Sequence, residues 1–311
     1  MAYRHKDLLG LKDLTREEIN YFLEQAKAYK EIFSRPLKQV PVLKGKSLMS
    51  LFFEPSTRTK SSFDQASRML SCAISNLTTE ASSTKKGETL IDTAKNLEVL
   101  GVSAFVIRHS MGGAPHLVAR NVKIPVINAG DGFNEHPTQG LLDVFSMVDA
   151  KGDIAGKHVA IVGDIAHSRV ARSNIWALTK LGAKVTVVAP PTLIPKGVEA
   201  MGVNVSYDLD EIIPQVDFIN VLRMQLERQK GNLFPSQREY FKLFGITSKR
   251  LEKAKADMLV LHPGPINRGV EIASDVVDGS RNLILQQVTN GVAVRMAVLV
   301  ALLSGQRNKN L

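Results

Sequence analysis

The chain has 311 residues, 44% apolar and 23% charged, with 40 Lys and Arg against 30 Asp and Glu for a formal net charge of +10. That profile excludes disordered, collagen-like and coiled-coil classes and leaves enough chain for two domains with buried cores. The single cysteine, Cys72, excludes an internal disulfide framework and a Cys-rich zinc site, and the excess of cations points to anionic partners.

Residues 1–11 are charged and lack an apolar core, so no secretory signal is expected. Residues 17–33 put Ile19, Phe22, Leu23, Ala26, Tyr29 and Ile32 on one helical face, with Thr15 as the cap. A buried strand follows over 46–53 (KSLMSLFF), then a helix over 56–69 with Phe63, Ala66 and Met69 inward. A helix over 89–100, a strand over 104–107, a short strand over 125–128 and a helix over 138–148 complete the first block. A second block opens near Lys151 with a strand over 158–164 and a helix over 169–181 ended by Gly182. Strands over 184–190, 203–207, 217–223 and 257–263 follow. This alternation predicts an α/β protein of two domains, each a parallel sheet flanked by helices. The boundary is expected within 147–156, giving a first domain of 1–146, completed by a terminal helix over 288–311, and a second of 147–287. The apolar run 291–303 is too short to span a bilayer and is interrupted by Arg295, so a cytoplasmic protein is expected.

Five motifs can carry chemistry. In FFEPSTRTKSSF (52–63) a strand ends, Pro55 turns the chain, and a helix opens at Ser56, Thr57, Arg58 and Thr59. Helix N-termini offer unpaired N–H groups and a positive dipole end. Plain N-capping needs one hydroxyl; three hydroxyls with an arginine fork point to phosphate. SSTKKGET (82–89) reads by itself as a solvated loop with a Gly hinge. Arg108 stands just past a strand, on the edge where open α/β sheets bind ligands. His136, followed by Pro137, opens a helix that also carries Gln139; a neutral imidazole there donates to a carbonyl oxygen, against the alternative of a capping or core histidine. The loops 162–170, 221–229 and 261–269 each follow a strand and place Arg169, Arg223 and Arg228 on one sheet edge. GDIAGK (152–157) lacks the spacing and hydroxyl of a phosphate loop, and no Gly-x-Gly-x-x-Gly follows strand 158–164. Aromatic residues are 6% and the basic residues are dispersed, which argues against nucleic acid.

FFEPSTRT, KKGET, RH, HPTQ and HPGPINRG, in this order, resemble the aspartate carbamoyltransferases of the aspartate/ornithine carbamoyltransferase superfamily, over essentially the whole chain. STRT is common to both branches; KKGET and Gly264-Pro265 within HPGPINRG separate this chain from ornithine enzymes, which carry a Cys-Leu-Pro loop there. The resemblance implies carbamoyl transfer from carbamoyl phosphate to the amino group of L-aspartate, the committed step of pyrimidine synthesis, in a cleft between a carbamoyl phosphate-binding and an aspartate-binding domain. By resemblance Ser56, Thr57, Arg58 and Thr59 bind phosphate, and Arg108 meets phosphate and carbonyl oxygen. His136 meets the carbonyl oxygen, and Gln139 lies near the carbamoyl amino group. Arg169, Arg223 and Gln225 bind aspartate; Gly264 and Pro265 complete the pocket, Pro265 after a cis peptide bond. Ser82, or its neighbour Ser83, and Lys86 come from the adjacent subunit of a homotrimer, and Glu54 pairs with Arg169 and Arg228 when the domains close. The catalytic set implied is Arg58, Thr59, Lys86, Arg108 and His136, with no cofactor and no metal. Lys60 stands where most members have Arg, and Val170 where some have Thr. Regulatory chains and a dihydroorotase both stay open as partners, nucleic acid and membrane are not expected, and two readings stay open beside the leading one: a different amine acceptor, and a nonenzymatic anion-binding module.

Overall fold

The computed structural model describes residues 3–78, 88–225 and 236–304. The chain divides into two compact units, one of Met1–Phe145 with Val288–Leu311 and one of Ser146–Gln287.

In the first unit α1 (Arg16–Lys30) begins with a capping box, in which Thr15 accepts from Glu18 N while the Glu18 carboxylate accepts from Thr15 N. There follow β1 (Ser47–Phe52), α2 (Thr57–Met69), β2 (Ala73–Thr78), α3 (Leu90–Val99), β3 (Ala104–His109), α4 (Ala114–Asn121), β4 (Val126–Asp131) and α5 (Pro137–Lys151). The strands form one parallel sheet in the order β2-β1-β3-β4. β4 is buried along its whole length and β3 over its first four residues, as expected of strands covered on both faces. Leu51, Phe105, Ile107, Val118 and Val126 meet in one apolar cluster, each contributing roughly 1.5–3 kcal/mol by full burial.

In the second unit the chain runs through β5 (His158–Val162), α6 (Arg169–Lys180), β6 (Lys184–Val188), β7 (Asn204–Ser206), α7 (Leu209–Ile212), β8 (Phe218–Val221), α8 (Gln237–Phe244), α9 (Ser248–Leu251), β9 (Leu259–Leu261) and α10 (Ser274–Val277). Its sheet is also parallel, in the order β7-β6-β5-β8-β9. The last helix, α11 (Ile284–Leu303), carries most of its length back into the first unit.

Among the described residues, six of these elements escape the sequence reading: β2, α4, α7, α8, α9 and α10, of which α7, α9 and α10 are single turns of four residues. β2 (AISNLT) is polar and pairs on one side only, with β1, so it lacks the apolar run of its neighbours. α4 and α8 are eight residues each, too short for a clear period. The terminal helix corrects an expectation: it has 20 residues and is long and apolar enough to cross a membrane by length and composition alone. Its most apolar window is nevertheless 61% buried inside the protein, where Ala293, Val294, Met296, Val298 and Leu299 pack.

Candidate active site

Each sheet reverses its strand order once. In the first, the chain steps from β1 outward to β2 and then crosses to β3 on the other side of β1. In the second, it steps from β5 out to β6 and β7, then crosses to β8. The crevice past the carboxyl ends of the two strands at such a reversal is the ligand position of open α/β sheets.

The first reversal gathers the motifs of the first block. Phe52 on β1 pairs with Arg108 on β3, and Phe53 N donates to Arg108 O at 2.9 Å, so the Ser56–Thr59 turn and Arg108 leave the sheet side by side. Ser56 is the N-cap of α2, with φ −160° and ψ 92°, yet its hydroxyl makes no capping bond. Thr15, Thr89 and Ser168 do cap α1, α3 and α6 with their side chains. No acidic residue stands in the first turn of α2. The amino end of α2 therefore has neither a side-chain cap from Ser56 nor a carboxylate in its first turn, and its positive dipole end suits an anion. Ser56 and Lys60 are half-buried, Thr57 and Arg58 exposed, and Thr59 buried. Thr59 Oγ1 lies 3.4 Å from His136 Nε2.

The loop between β4 and α5 is built to deliver that histidine. Asp131 Oδ1 accepts from Asn128 Nδ2 at 2.8 Å and Glu135 N at 3.1 Å, while Oδ2 accepts from Gly113 N at 2.7 Å and Asn134 Nδ2 at 3.1 Å. Gly132 has φ +50°, and a Cβ there would stand 2.8 Å from both Ser110 O and Gly112 N, so this close crossing requires glycine. His136 is 4% exposed, and Gln139 N donates to His136 O in the first turn of α5. The Gln139 side chain is fixed by its Nε2, which donates to Asp143 Oδ1 at 2.8 Å.

Arg108 Nε donates to Glu54 Oε2 at 3.3 Å. Glu54 is thus engaged by Arg108 within its own unit, whereas the resemblance assigns it to Arg169 and Arg228. The parallel register accounts for this, because Glu54 follows Phe52 by two residues and Phe52 lies opposite Arg108. Next to Arg108, His109 Nδ1 accepts from Met111 N at 2.9 Å, and burial pushes the His109 imidazole below its usual range against the pull of Glu54 and Asp131.

At the second reversal, Arg169 opens α6 and is buried at 4% exposure, with Ser168 Oγ accepting from Ala171 N at 3.2 Å. Arg223 and Gln225 follow β8 and are half-buried. Gly163, with φ +125°, lets the loops after β5 and β8 approach: a Cβ there would stand 3.1 Å from Leu222 O. The loop after β9 joins the same group, because Asn267 Nδ2 donates to Met224 O at 3.4 Å. His262 Nδ1 accepts from Gly264 N at 2.8 Å, which leaves Nε2 protonated toward Glu271 Oε1 at 3.2 Å. The Gly264-Pro265 bond is cis. Val170 follows Arg169 in α6 and brings no hydroxyl.

Ser82, Ser83, Lys86 and Arg228 lie outside the described residues. The sequence reading missed Asp143 as the partner of Gln139; its one signal is the i, i+4 spacing of Gln139 and Asp143 on a helix.

Residues 6–149 match the family described as aspartate/ornithine carbamoyltransferase, carbamoyl-P binding domain, and residues 155–302 match its Asp/Orn binding domain. The chain is 57% identical over 302 residues to the aspartate carbamoyltransferase catalytic subunit of Acetivibrio thermocellus, covering 97% of each. Among solved structures, the aspartate transcarbamoylase of Trypanosoma cruzi in complex with carbamoyl phosphate and aspartate superposes with a TM-score of 0.87 at 29% identity over 96% of each chain. The same enzyme with carbamoyl aspartate and phosphate gives 0.86 at 29% identity, again over 96% of each chain. The ornithine carbamoyltransferase of Thermus thermophilus gives 0.86 at 26% identity over 97% of this chain and 100% of that one. The two activities share one backbone to within that measure, so fold does not separate them; sequence identity does.

Proposed function

The chain belongs to the aspartate/ornithine carbamoyltransferase family, and from that premise we propose that it transfers the carbamoyl group of carbamoyl phosphate to the amino group of L-aspartate, giving N-carbamoyl-L-aspartate and phosphate in pyrimidine synthesis. The observation that carries the reading is the meeting of Thr59 Oγ1 and His136 Nε2 at 3.4 Å, at the strand reversal that also holds Arg108. One crevice thereby joins an uncapped, cationic helix start to donors for a carbonyl oxygen.

Phosphate sits on the amino end of α2, with Ser56, Thr57, Arg58 and Thr59 as donors. Arg108 and His136 face the carbonyl oxygen of the donor, and the Gln139 amide faces its NH2 group. Arg169, Arg223 and Gln225 take the carboxylates of aspartate, beside the Gly264-Pro265 loop. The aspartate amine attacks the carbonyl carbon and forms the new C–N bond. Negative charge moves onto the carbonyl oxygen, where a preorganised donor is worth about 10²–10³ in rate. The C–O bond to phosphate then breaks, and the amine proton leaves with the phosphate. No carboxylate of the chain is needed as a base, and the work is positioning and charge stabilisation.

We further propose a homotrimer in the cytoplasm, with Ser82 and Lys86 donated to the neighbouring subunit's site. Support comes from the family resemblance and from the polyanionic substrates, which call for more cations than one loop supplies. The test of the activity is product analysis: the purified chain with carbamoyl phosphate forms carbamoyl aspartate from L-aspartate and no citrulline from L-ornithine. Citrulline, or no product, refutes the assignment.

A further inference from the structure

We propose that Asp143 is a positioning residue that locks the Gln139 amide with its carbonyl oxygen toward the ligand, so that the site selects a carbamoyl phosphate over an acyl phosphate. The proposal rests on the reading above, in which Gln139 meets the donor's NH2 group.

Asp143 is fully buried, and Gln139 and Arg295 are 8% and 3% exposed. A buried carboxylate persists only when paired and hydrogen-bonded, and once ionised it only accepts. Gln139 must therefore offer Asp143 its NH2 end, as the 2.8 Å contact from Nε2 to Oδ1 shows. The carbonyl oxygen Oε1 is then the end turned away from Asp143. Gln139 and Asp143 are four residues apart on α5, so the helix itself keeps them in register.

Arg295, the cation whose charge Asp143 favours, is anchored from its own helix and from α2. Arg295 Nη1 donates to Ser62 Oγ on α2 at 3.0 Å and to Gly291 O on α11 at 2.9 Å, and the guanidinium lies 5.1 Å from the Phe63 ring centroid. Burial pushes Arg295 down to about 9 while the charge of Asp143 opposes the shift, so Arg295 is a cation at neutral pH. Gly291 makes the room: a Cβ there would stand 2.7 Å from Nη1.

Carbamoyl and acetyl phosphate have nearly the same shape and charge. They differ in one group, an NH2 that donates against a CH3 that does not. A carbonyl oxygen held toward that position accepts from the first and is left unpaired by the second. An amide free to rotate would turn its own NH2 toward the ligand half the time and lose the distinction.

The experiment uses the full chain. It measures the KM for carbamoyl phosphate and the inhibition constant of acetyl phosphate competing with it. In Asp143→Asn, whose amide can accept or donate, the carbamoyl phosphate KM rises about tenfold while acetyl phosphate changes little, so their ratio collapses about tenfold. In a Gln139→Ala background the same substitution leaves the ratio unmoved. A second variant covers the case in which Asp143→Asn does not fold. In Gln139→Glu the introduced carboxyl faces Asp143, with His136 one turn earlier and the charge of Arg295 acting on Asp143; the neighbouring anion raises its titration above the usual carboxylate range. Protonated, it donates to Asp143 and presents its carbonyl as Gln139 does. Carbamoyl phosphate affinity relative to wild type therefore falls as pH rises through that raised range. A folded Asp143→Asn protein with an unchanged ratio, an equal loss for both phosphates, or a Gln139→Glu profile parallel to wild type overturns the proposal. A wild-type chain that does not bind carbamoyl phosphate overturns the functional reading and this proposal together; a chain that binds it with those results overturns the proposal alone.

Discussion

Gly291→Ala tests how much stability rests on the close approach of α2, α5 and α11. Alanine in a helix interior is normally worth about 0.5–1 kcal/mol over glycine. Here the new Cβ would stand 2.7 Å from Arg295 Nη1 and 3.1 Å from Leu142 Cδ2. The far end of an arginine ordinarily swings aside at little cost. This one is held by Ser62 Oγ, by Gly291 O and against the Phe63 ring, inside a buried site. Displacing it sacrifices at least one charge-assisted hydrogen bond, roughly 1.5–3 kcal/mol, and presses on Leu142. Subtracting the helix gain leaves a net loss of about 1–2 kcal/mol. Urea unfolding of the two proteins at one fixed protein concentration measures it, because the proposed self-association would make midpoints concentration-dependent. A midpoint equal to or above wild type would show that the guanidinium yields freely, and the argument for a rigid Arg295 anchor would fall with it.

Arg223→Ala raises the KM for aspartate at least tenfold and leaves carbamoyl phosphate binding close to wild type, as separate titrations of the two substrates will show; loss of carbamoyl phosphate binding instead refutes the division of labour. Arg58→Ala and Lys86→Ala each lose roughly 2–4 kcal/mol of transition-state stabilisation, but on the proposed homotrimer with donated loops verified mixed trimers regain activity, because a head-to-tail ring would then contain one site with an intact pocket and an intact donated loop. Mixed trimers as inactive as both parents would place Lys86 in its own chain. His109, depressed by burial, is neutral when folded at neutral pH. The unfolded chain takes up its proton first as pH falls, so stability is full above the ordinary histidine value of about 6.5 and is lost as pH drops toward the lower folded value. His109→Asn, which keeps an acceptor for Met111 N, flattens that part of the stability curve; an unchanged slope between about pH 7 and 5 refutes the assignment.

What the sequence by itself determined about this protein is what local physics encodes. Thr15 with Glu18, Thr89 and Ser168 announce helix starts because a cap needs only the three following residues. The buried strands read as apolar runs because both faces of each sheet are covered, and the STRT and HPGPINRG motifs are contiguous. Tertiary structure alone decided three things. The register of β1 with β3 takes Glu54 to Arg108, a partner 54 residues away that no local pattern marks. The sequence singles out Ser56, Thr57 and Thr59 together as phosphate donors but not which of them caps the helix; the structure shows that Ser56 holds the N-cap position without a capping bond from its hydroxyl. Arg295 looks like a flaw in an apolar helix until that helix returns to the first unit, where Ser62 and Phe63, more than 200 residues earlier, contact it and the charge of Asp143 favours its own. A buried charge is tolerable only with its partners in place, and here chain return from the other end of the sequence supplies them.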